Sequence, residues 1–441
     1  MADVRPFRGL RYNPARVSDL GAALCPPFDV ISGEEQARLY SASERNAVRL
    51  ELTRTEDAVA GEDRYAAAAR WLTQWRKNEV VTRDERPGFY LVAHEFEQDG
   101  ERLTRTELFG AVRLEPLDSG SIRPHEVTRA GHKEERLRLM QATEANISPI
   151  MLLYGDDGGV AQTLAEAAAA VEPIEADPGS AERFRVWPID EPSMVRRLQE
   201  ALAGQPLYIA DGHHRFETAI NYRDLRSAEA ATWGEEQAAN YVMAALISSS
   251  DPGLLCLPYH RLLKGLDDEA LAAVRRRLDD DFMEVRYNST RAPAIQVAEE
   301  ALASLRSPDV VFEVWGLEPR MRSSFRLRGS RPLDSLTSAG HSAAWASLGP
   351  AVFRELVLKP ALGMEEEEAE RKGLFSFSTD ATDAVHRVNT GECQLAFLPR
   401  PVPMTAFKEV SDRGERLPPK STYFHPKLAT GIVFNPLQGK R

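Results

Sequence analysis

The chain has 441 residues, 43% of them apolar and 28% charged. That composition excludes a disordered protein, and the length excludes a single ordinary domain. The 67 acidic against 55 basic side chains leave a net charge of −12, which excludes a general nucleic-acid binder, since contact with a phosphate backbone needs a basic surface.

The first nine residues carry no apolar segment of the signal-peptide kind. The longest apolar run, 241–247, is too short to cross a bilayer. Cys25, Cys256 and Cys393 stand too far apart for a metal spacing and make no complete disulfide framework. The reading is a cytoplasmic protein with no membrane association.

Pro26-Pro27 predicts extended backbone entering a turn. Ser32 before Glu34-Glu35 predicts a helix start with acids in its first turn. Residues 47–52 predict a short strand, and 65–77 a helix with Trp71 and Trp75 one turn apart. Residues 89–97 and 103–114 predict a strand pair turning at Asp99-Gly100. A helix over 133–143 and a buried strand over 147–154 follow. Then come a helix over 160–171, a strand over 183–189 and a helix over 193–203 that ends at Gly204. Residues 207–210 predict a strand, and the helix after it carries Phe216, Ala219 and Ile220 on one face. Farther on, 267–277 and 292–305 predict helices, and 310–315, 324–327, 374–377 and 394–398 predict strands. The acidic run 365–368 is expected on a solvated face or loop.

The sharpest motif is Asp211-Gly212-His213-His214-Arg215, between a strand and a helix. Gly212 lets the backbone turn tightly and approach a ligand. The helix start then aims free N–H groups and its positive dipole end at that turn, so a phosphate is the natural guest. Arg215 can add bidentate contacts, and His213 and His214 can donate hydrogen bonds. Asp211 either caps the helix or helps to hold Mg²⁺. The plain alternative is a tight turn with a solvated arginine.

His125-Glu126 is the second candidate. A carboxylate beside an imidazole can take a proton from a hydroxyl nucleophile. The plain alternative is a loop dipeptide with Glu126 capping a helix. Lys420, Ser421 and Lys427 bring two of the nine lysines into one proline-bounded segment, and lysine pairs well with phosphate. An ordinary turn with surface lysines explains them equally well. Asn46 and Arg49 either line the pocket or belong to a plain strand. Lys133 and Arg136 can share a helix face, which either points at the site or is solvated, the latter the plainer reading. His260 is read as structural.

No phosphate-loop, dinucleotide, nucleophile-elbow or zinc-helix signature is present.

The order Pro-His-Glu, helix, buried strand, then strand, Asp-Gly-His-His-Arg, helix resembles the ParB/sulfiredoxin-like core. It is most similar to the free-serine kinases of that superfamily. Pro26 to Ile31, Asn46 with Arg49-Leu50-Glu51, His125-Glu126-Val127-Thr128, Asn146 to Pro149, Ile209 to Phe216 and Pro418 to Pro426 together resemble the domain of unknown function 1015 family, often labelled SpoOJ/ParB-like. Phe28 and Phe216 stand where tyrosine is commoner in that family.

The resemblance implies an α/β (mixed α+β) fold with a ParB/sulfiredoxin-like core at 119–230. An N-terminal α/β part at 1–118 and a C-terminal α/β part at 231–441 would flank it, the latter reaching the site through 417–427. It implies a kinase using ATP or ADP, with Mg²⁺ at Asp211, on a small hydroxyl compound such as free serine. Glu126 would be the general base, with His125, Asp211 and His213 also in the chemistry. Gly212, His213, His214, Arg215, Thr128, Lys420, Ser421 and Lys427 would hold the nucleotide phosphates. Asp29, Asn46 and Arg49 would touch the substrate. Partners are then a nucleotide and a small molecule. The competing readings are a non-catalytic nucleotide-binding regulator, a metal-dependent hydrolase and a ParB-like DNA partner. The sulfiredoxin-type catalytic cysteine is missing, since His213 and His214 occupy its turn.

Overall fold

The computed structural model describes residues 2–117, 120–127, 131–155, 159–179, 181–289, 292–307 and 309–440, and of 131–133 the backbone alone. The fold is mixed α/β. Two compact units form, Met1–Leu254 with Pro426–Arg441, and Leu255–His425.

The first unit is built on a nine-stranded mixed sheet. Its strands run Ile122–Arg123, Leu207–Asp211, Ile150–Tyr154, Tyr241–Ser248, Glu101–Arg113, Phe89–Gln98, Arg183–Ile189 and Ile174–Ala176 across the sheet, with Val4–Arg5 paired to Glu101–Arg113. Two neighbour pairs are parallel, Leu207–Asp211 with Ile122–Arg123 and Tyr241–Ser248 with Ile150–Tyr154; the others are antiparallel. The strands Ile150–Tyr154 and Leu207–Asp211 sit inside the sheet and are apolar on both faces. Leu207, Ile209, Ile150 and Leu152 are each fully buried, and each such side chain stabilises by about 2 kcal/mol. Helices Gly159–Ala170, Pro192–Leu202 and His213–Glu229 add Val160, Leu164, Leu198, Leu202, Phe216 and Ala219 to the same core.

The hairpin forms where expected. Asp99 (φ +53°) and Gly100 (φ +76°) take the left-handed backbone that a two-residue hairpin turn needs. Ser32 caps Gly33–Ala42 by accepting the Glu35 N–H. Pro27 is extended, as expected, and leads into a single 3₁₀ turn, Phe28–Val30.

Two expectations fail. Residues 47–52 form a helical turn, Val48–Glu51, and not a strand. Their apolar alternation is misleading: Ala47, Val48, Leu50 and Glu51 are all buried, a helical spacing, and the Asn46 side chain accepts the Val48 N–H to start the turn. The acidic run is also not wholly solvated. Glu366 is buried and accepts from the buried Arg261 at 3.1 Å.

The second unit is built on a six-stranded antiparallel sheet. Its order is Phe282–Asn288, Met321–Leu327, Val310–Trp315, Leu395–Pro399, His260–Leu263 and Phe375–Ser378. Helices Ala294–Ser304 and Ala381–Asn389 pack on it through Val297, Ala301, Ala384 and Val385.

Candidate functional site

The site lies at the C-terminal end of the inner strand Leu207–Asp211. Gly212 has φ +91° and ψ 28°, left-handed values that glycine adopts without strain. Space requires it too. A Cβ at this position would stand 2.8 Å from Cγ2 of Ile150 and 3.2 Å from the Arg215 guanidinium. The helix His213–Glu229 starts at once, with Gly212 as its N-cap and no capping side chain. Its first N–H groups therefore face out along the axis, at the positive end of the helix dipole.

Asp211 does not cap the helix. One carboxylate oxygen accepts from Arg215 Nη2 at 2.6 Å, and the other from Lys427 Nζ. Burial pushes this carboxyl up, but the Lys427 ammonium and the Arg215 guanidinium outweigh burial and hold it well below the usual carboxylate range. Buried Arg215 with half-buried Asp211 and Lys427 thus forms a cluster with one net positive charge in an acidic chain. With both oxygens facing cations, Asp211 does not fit the role of a Mg²⁺ ligand. Among the described residues, no group of three or more His, Cys, Asp or Glu side chains is arranged to hold a metal ion.

The Arg215 guanidinium is also tied to the Pro149 carbonyl. It braces the turn against the neighbouring strand segment, a role that the free phosphate-binding arginine of the sequence reading did not include.

His125 and His213 meet edge to face, with ring centroids 4.6 Å apart. His125 Nδ1 lies 2.7 Å from the Ile209 carbonyl, which only accepts, so Nδ1 carries the proton. The His125 backbone N–H donates to His213 Nε2 at 3.3 Å, so the proton of neutral His213 sits on Nδ1. Glu126 lies beside both rings, 3.9 Å from His125 Nε2 and 3.9 Å from His213 Nδ1. Its carboxylate is 30% exposed while both imidazoles are buried. Glu126 is therefore the solvent-facing member of a carboxylate–imidazole group beside the Gly212 turn. His214, half-buried, follows on the first turn of the helix.

The other candidates divide. Lys427 is in the site although it lies 216 residues from Asp211. Lys420 and Ser421 belong to the second unit. There Lys420 sits 5.0 Å over the Tyr259 ring and Ser421 Oγ donates to the Pro418 carbonyl at 2.6 Å. Thr128 lies outside the described residues, as does the Lys133 side chain. Asn46 is buried and donates to the Ala22 and Leu24 carbonyls at 2.9 and 2.8 Å. Arg49 stacks on Tyr40 and Trp71, and Asp29 is exposed.

Sequence reasoning missed Glu51 and misplaced Arg136. Glu51 Oε1 accepts from the Phe28 N–H at 3.2 Å and from Ser148 Oγ at 3.1 Å. Arg136 is buried, donates to the Glu51 carbonyl at 3.1 Å and lies 4.0 Å over the Phe28 ring. Burial lowers its pKa from the usual arginine value. Ser148 precedes Pro149, whose carbonyl holds Arg215, so Phe28, Glu51, Ser148 and Arg215 form a continuous brace behind the turn. Glu51, Ser148 and Arg215 line one side of a half-open pocket of about 30 Å³, together with Arg136, Asn146 and Thr218. Glu51 Oε2 and Arg136 Nε are buried there without a hydrogen-bond partner among the described residues. The only sequence signal for Glu51 was its place in the Arg49-Leu50-Glu51 segment.

A family model described as a protein of unknown function (DUF1015) matches residues 4–348. No curated protein matches the chain. Among solved structures, a mutant free serine kinase in complex with AMP is similar at 14% identity and a TM-score of 0.35, over 72% of this chain and 87% of that one. A conserved hypothetical protein from Pyrococcus furiosus is similar at 14% identity and a TM-score of 0.35, over 74% of this chain and 94% of that one. SbnI from Staphylococcus aureus, with a C-terminal truncation, is similar at 12% identity and a TM-score of 0.34, over 75% and 87%.

Proposed function

The chain belongs to the DUF1015 family, and we propose that it is a nucleotide-dependent phosphotransferase acting on a small hydroxyl compound. The observation that carries this reading is the Gly212 turn. A left-handed glycine opens a helix beside a half-buried cluster of net positive charge, with a carboxylate–imidazole group next to it. Nucleotide phosphates would lie over the first N–H groups of His213–Glu229, near Lys427 and His214. Glu126 would take the proton of the acceptor hydroxyl as its oxygen attacks the terminal phosphorus. The bond from that phosphorus to the bridging oxygen breaks, and the departing nucleotide, ADP from ATP or AMP from ADP, keeps the electron pair on that oxygen. His213, with its Nδ1 proton toward Glu126, would steady the carboxylate before transfer. No step is assigned to Mg²⁺, because the Asp211 pairing does not fit it.

The test is to incubate purified protein with ATP or ADP and free serine, the compound named for the kinases above, and to follow phosphate-ester formation by ³¹P NMR. The reading expects a new ester that disappears in Glu126→Gln. No ester with any small hydroxyl acceptor, from a protein that still binds the nucleotide, would refute transfer.

A second reading, binding without transfer, is favoured by Arg215. Two of its five N–H donors go to Asp211 and the Pro149 carbonyl, which leaves less of the guanidinium for a transferring phosphoryl group. Nucleotide binding that Glu126→Gln leaves unchanged, without turnover, distinguishes it.

A further inference from the structure

Lys427 belongs to no secondary-structure element near the turn, so something else must fix its backbone. The residue before it supplies the answer. Arg105 Nη1 donates to the Pro426 carbonyl at 2.7 Å. Arg105 is fully buried, and its other guanidinium edge grips Glu107 Oε1, with Nε at 3.0 Å and Nη2 at 2.7 Å. His94 Nδ1 sits 3.1 Å from the same oxygen, and His94 Nε2 sits 3.2 Å from Glu182.

His94, Arg105 and Glu107 lie on adjacent antiparallel strands, Phe89–Gln98 and Glu101–Arg113, where His94 pairs directly with Arg105. A buried ion network of this kind is a weak source of stability and is better explained by what it holds in place. Here it holds the point where the chain returns to the first unit. The chain leaves that unit against the same stretch of strand. Asp251 accepts the Thr106 N–H at 3.1 Å, and a Cβ on Gly253 would stand 2.4 Å from the Thr104 oxygen.

We infer that Arg105 is a positioning residue. Anchored by Glu107, it fixes the Pro426 carbonyl and so delivers the Lys427 ammonium to Asp211 at the Gly212 turn. The inference rests on the phosphate-site reading above only for its functional consequence; the placement of Lys427 can be read without any ligand.

The experiment uses the full chain and two readouts. Arg105→Met alone would strand a buried carboxylate, so the working variant is Arg105→Met with Glu107→Gln, which removes both charges together. The first readout is acylation of Lys427 by an amine-reactive reagent, located by mass spectrometry. In the parent protein Lys427 should react slowly, and in the double variant at the rate of the exposed Lys77. Arg105→Lys, which keeps one donor toward Pro426, should restore part of the protection. The second readout is ADP affinity. The double variant should bind ADP about tenfold more weakly, the loss of one charge-assisted contact. Adding Lys427→Ala to it should cost nothing more than Lys427→Ala alone.

Unchanged Lys427 acylation in the double variant overturns the inference, as does full additivity of the two losses. Faster acylation with ADP binding indifferent to Lys427→Ala supports the positioning role and removes the phosphate-site reading instead.

Discussion

Replacing Gly212 by alanine puts the geometry of the turn to a quantitative test. Two costs can be separated. The backbone at φ +91° is left-handed, and a Cβ there costs about 1–2 kcal/mol. The same Cβ would stand 2.8 Å from Cγ2 of Ile150, a fully buried β-branched side chain with little freedom to move. Overpacking of that kind costs about 1–3 kcal/mol. Alanine loses less entropy on folding than glycine, which offsets about 0.4–1 kcal/mol. The net expectation is about 3 kcal/mol of destabilisation.

Gly100 is the control. It is also left-handed, at φ +76°, but nothing lies within 4 Å of its Cβ position. Gly100→Ala should cost only the backbone part, about 1 kcal/mol. Urea unfolding followed by circular dichroism gives both values, and in an ADP titration only Gly212→Ala should also weaken binding. Equal costs for the two substitutions would refute the claim that Gly212 is required by close approach as well as by its backbone.

The pH dependence of stability should show two limbs. Burial raises the Glu107 carboxyl, but Arg105 and His94 outweigh it and hold its pKa below normal, so its contribution is present above the ordinary carboxylate value of about 4.3 and is lost as pH falls through the depressed folded value. Burial lowers His94, but Glu107 and Glu182 outweigh it and raise its pKa, so its contribution is present below the ordinary imidazole value of about 6.5 and is lost as pH rises through the raised folded value. Thermal melts from pH 3 to 9 should therefore peak between those limits (about 4.3 and 6.5), and an alkaline limb that survives in His94→Gln would contradict the assignment. Glu51→Gln leaves the Arg136 guanidinium buried without its counter-charge and should cost about 3–5 kcal/mol by urea unfolding; a cost below about 1 kcal/mol would show that the brace behind the turn is not held by this pair. A crystal structure should place an ordered water in the adjoining cavity, bridging Arg136 Nε and Glu51 Oε2, and a dry cavity would contradict the polar reading of that space.

The parts of the fold legible in the sequence were those set by local rules. The Asp99-Gly100 hairpin, the Ser32 cap and the strand–Gly212–helix turn each follow from a few adjacent residues and their backbone preferences. Residues 47–52 misled because Val48, Leu50 and Leu52 alternate like a strand, while the Asn46 side chain and the burial of Ala47 and Glu51 decide for a helix. The site was legible in its chemistry and not in its wiring. Asp211, His213, Arg215, His125 and Glu126 do come together. Which of them faces a ligand depends on contacts between distant segments. Glu51 reaches Ser148 across 97 residues, and Lys427 reaches Asp211 across 216. Only the folded chain shows that Arg215 also serves as a brace and that Lys427 stands beside Asp211.

If the Gly212 turn, with Lys427 beside it, receives the phosphates of a nucleotide, removing the Lys427 ammonium must weaken nucleotide binding. Isothermal titration of ATP and ADP into the parent protein and into Lys427→Ala tests it most directly. Binding should be saturable and should weaken about tenfold or more in the variant, the loss of one charge-assisted contact. Titrations without heat, or the same affinity in both proteins, would contradict it.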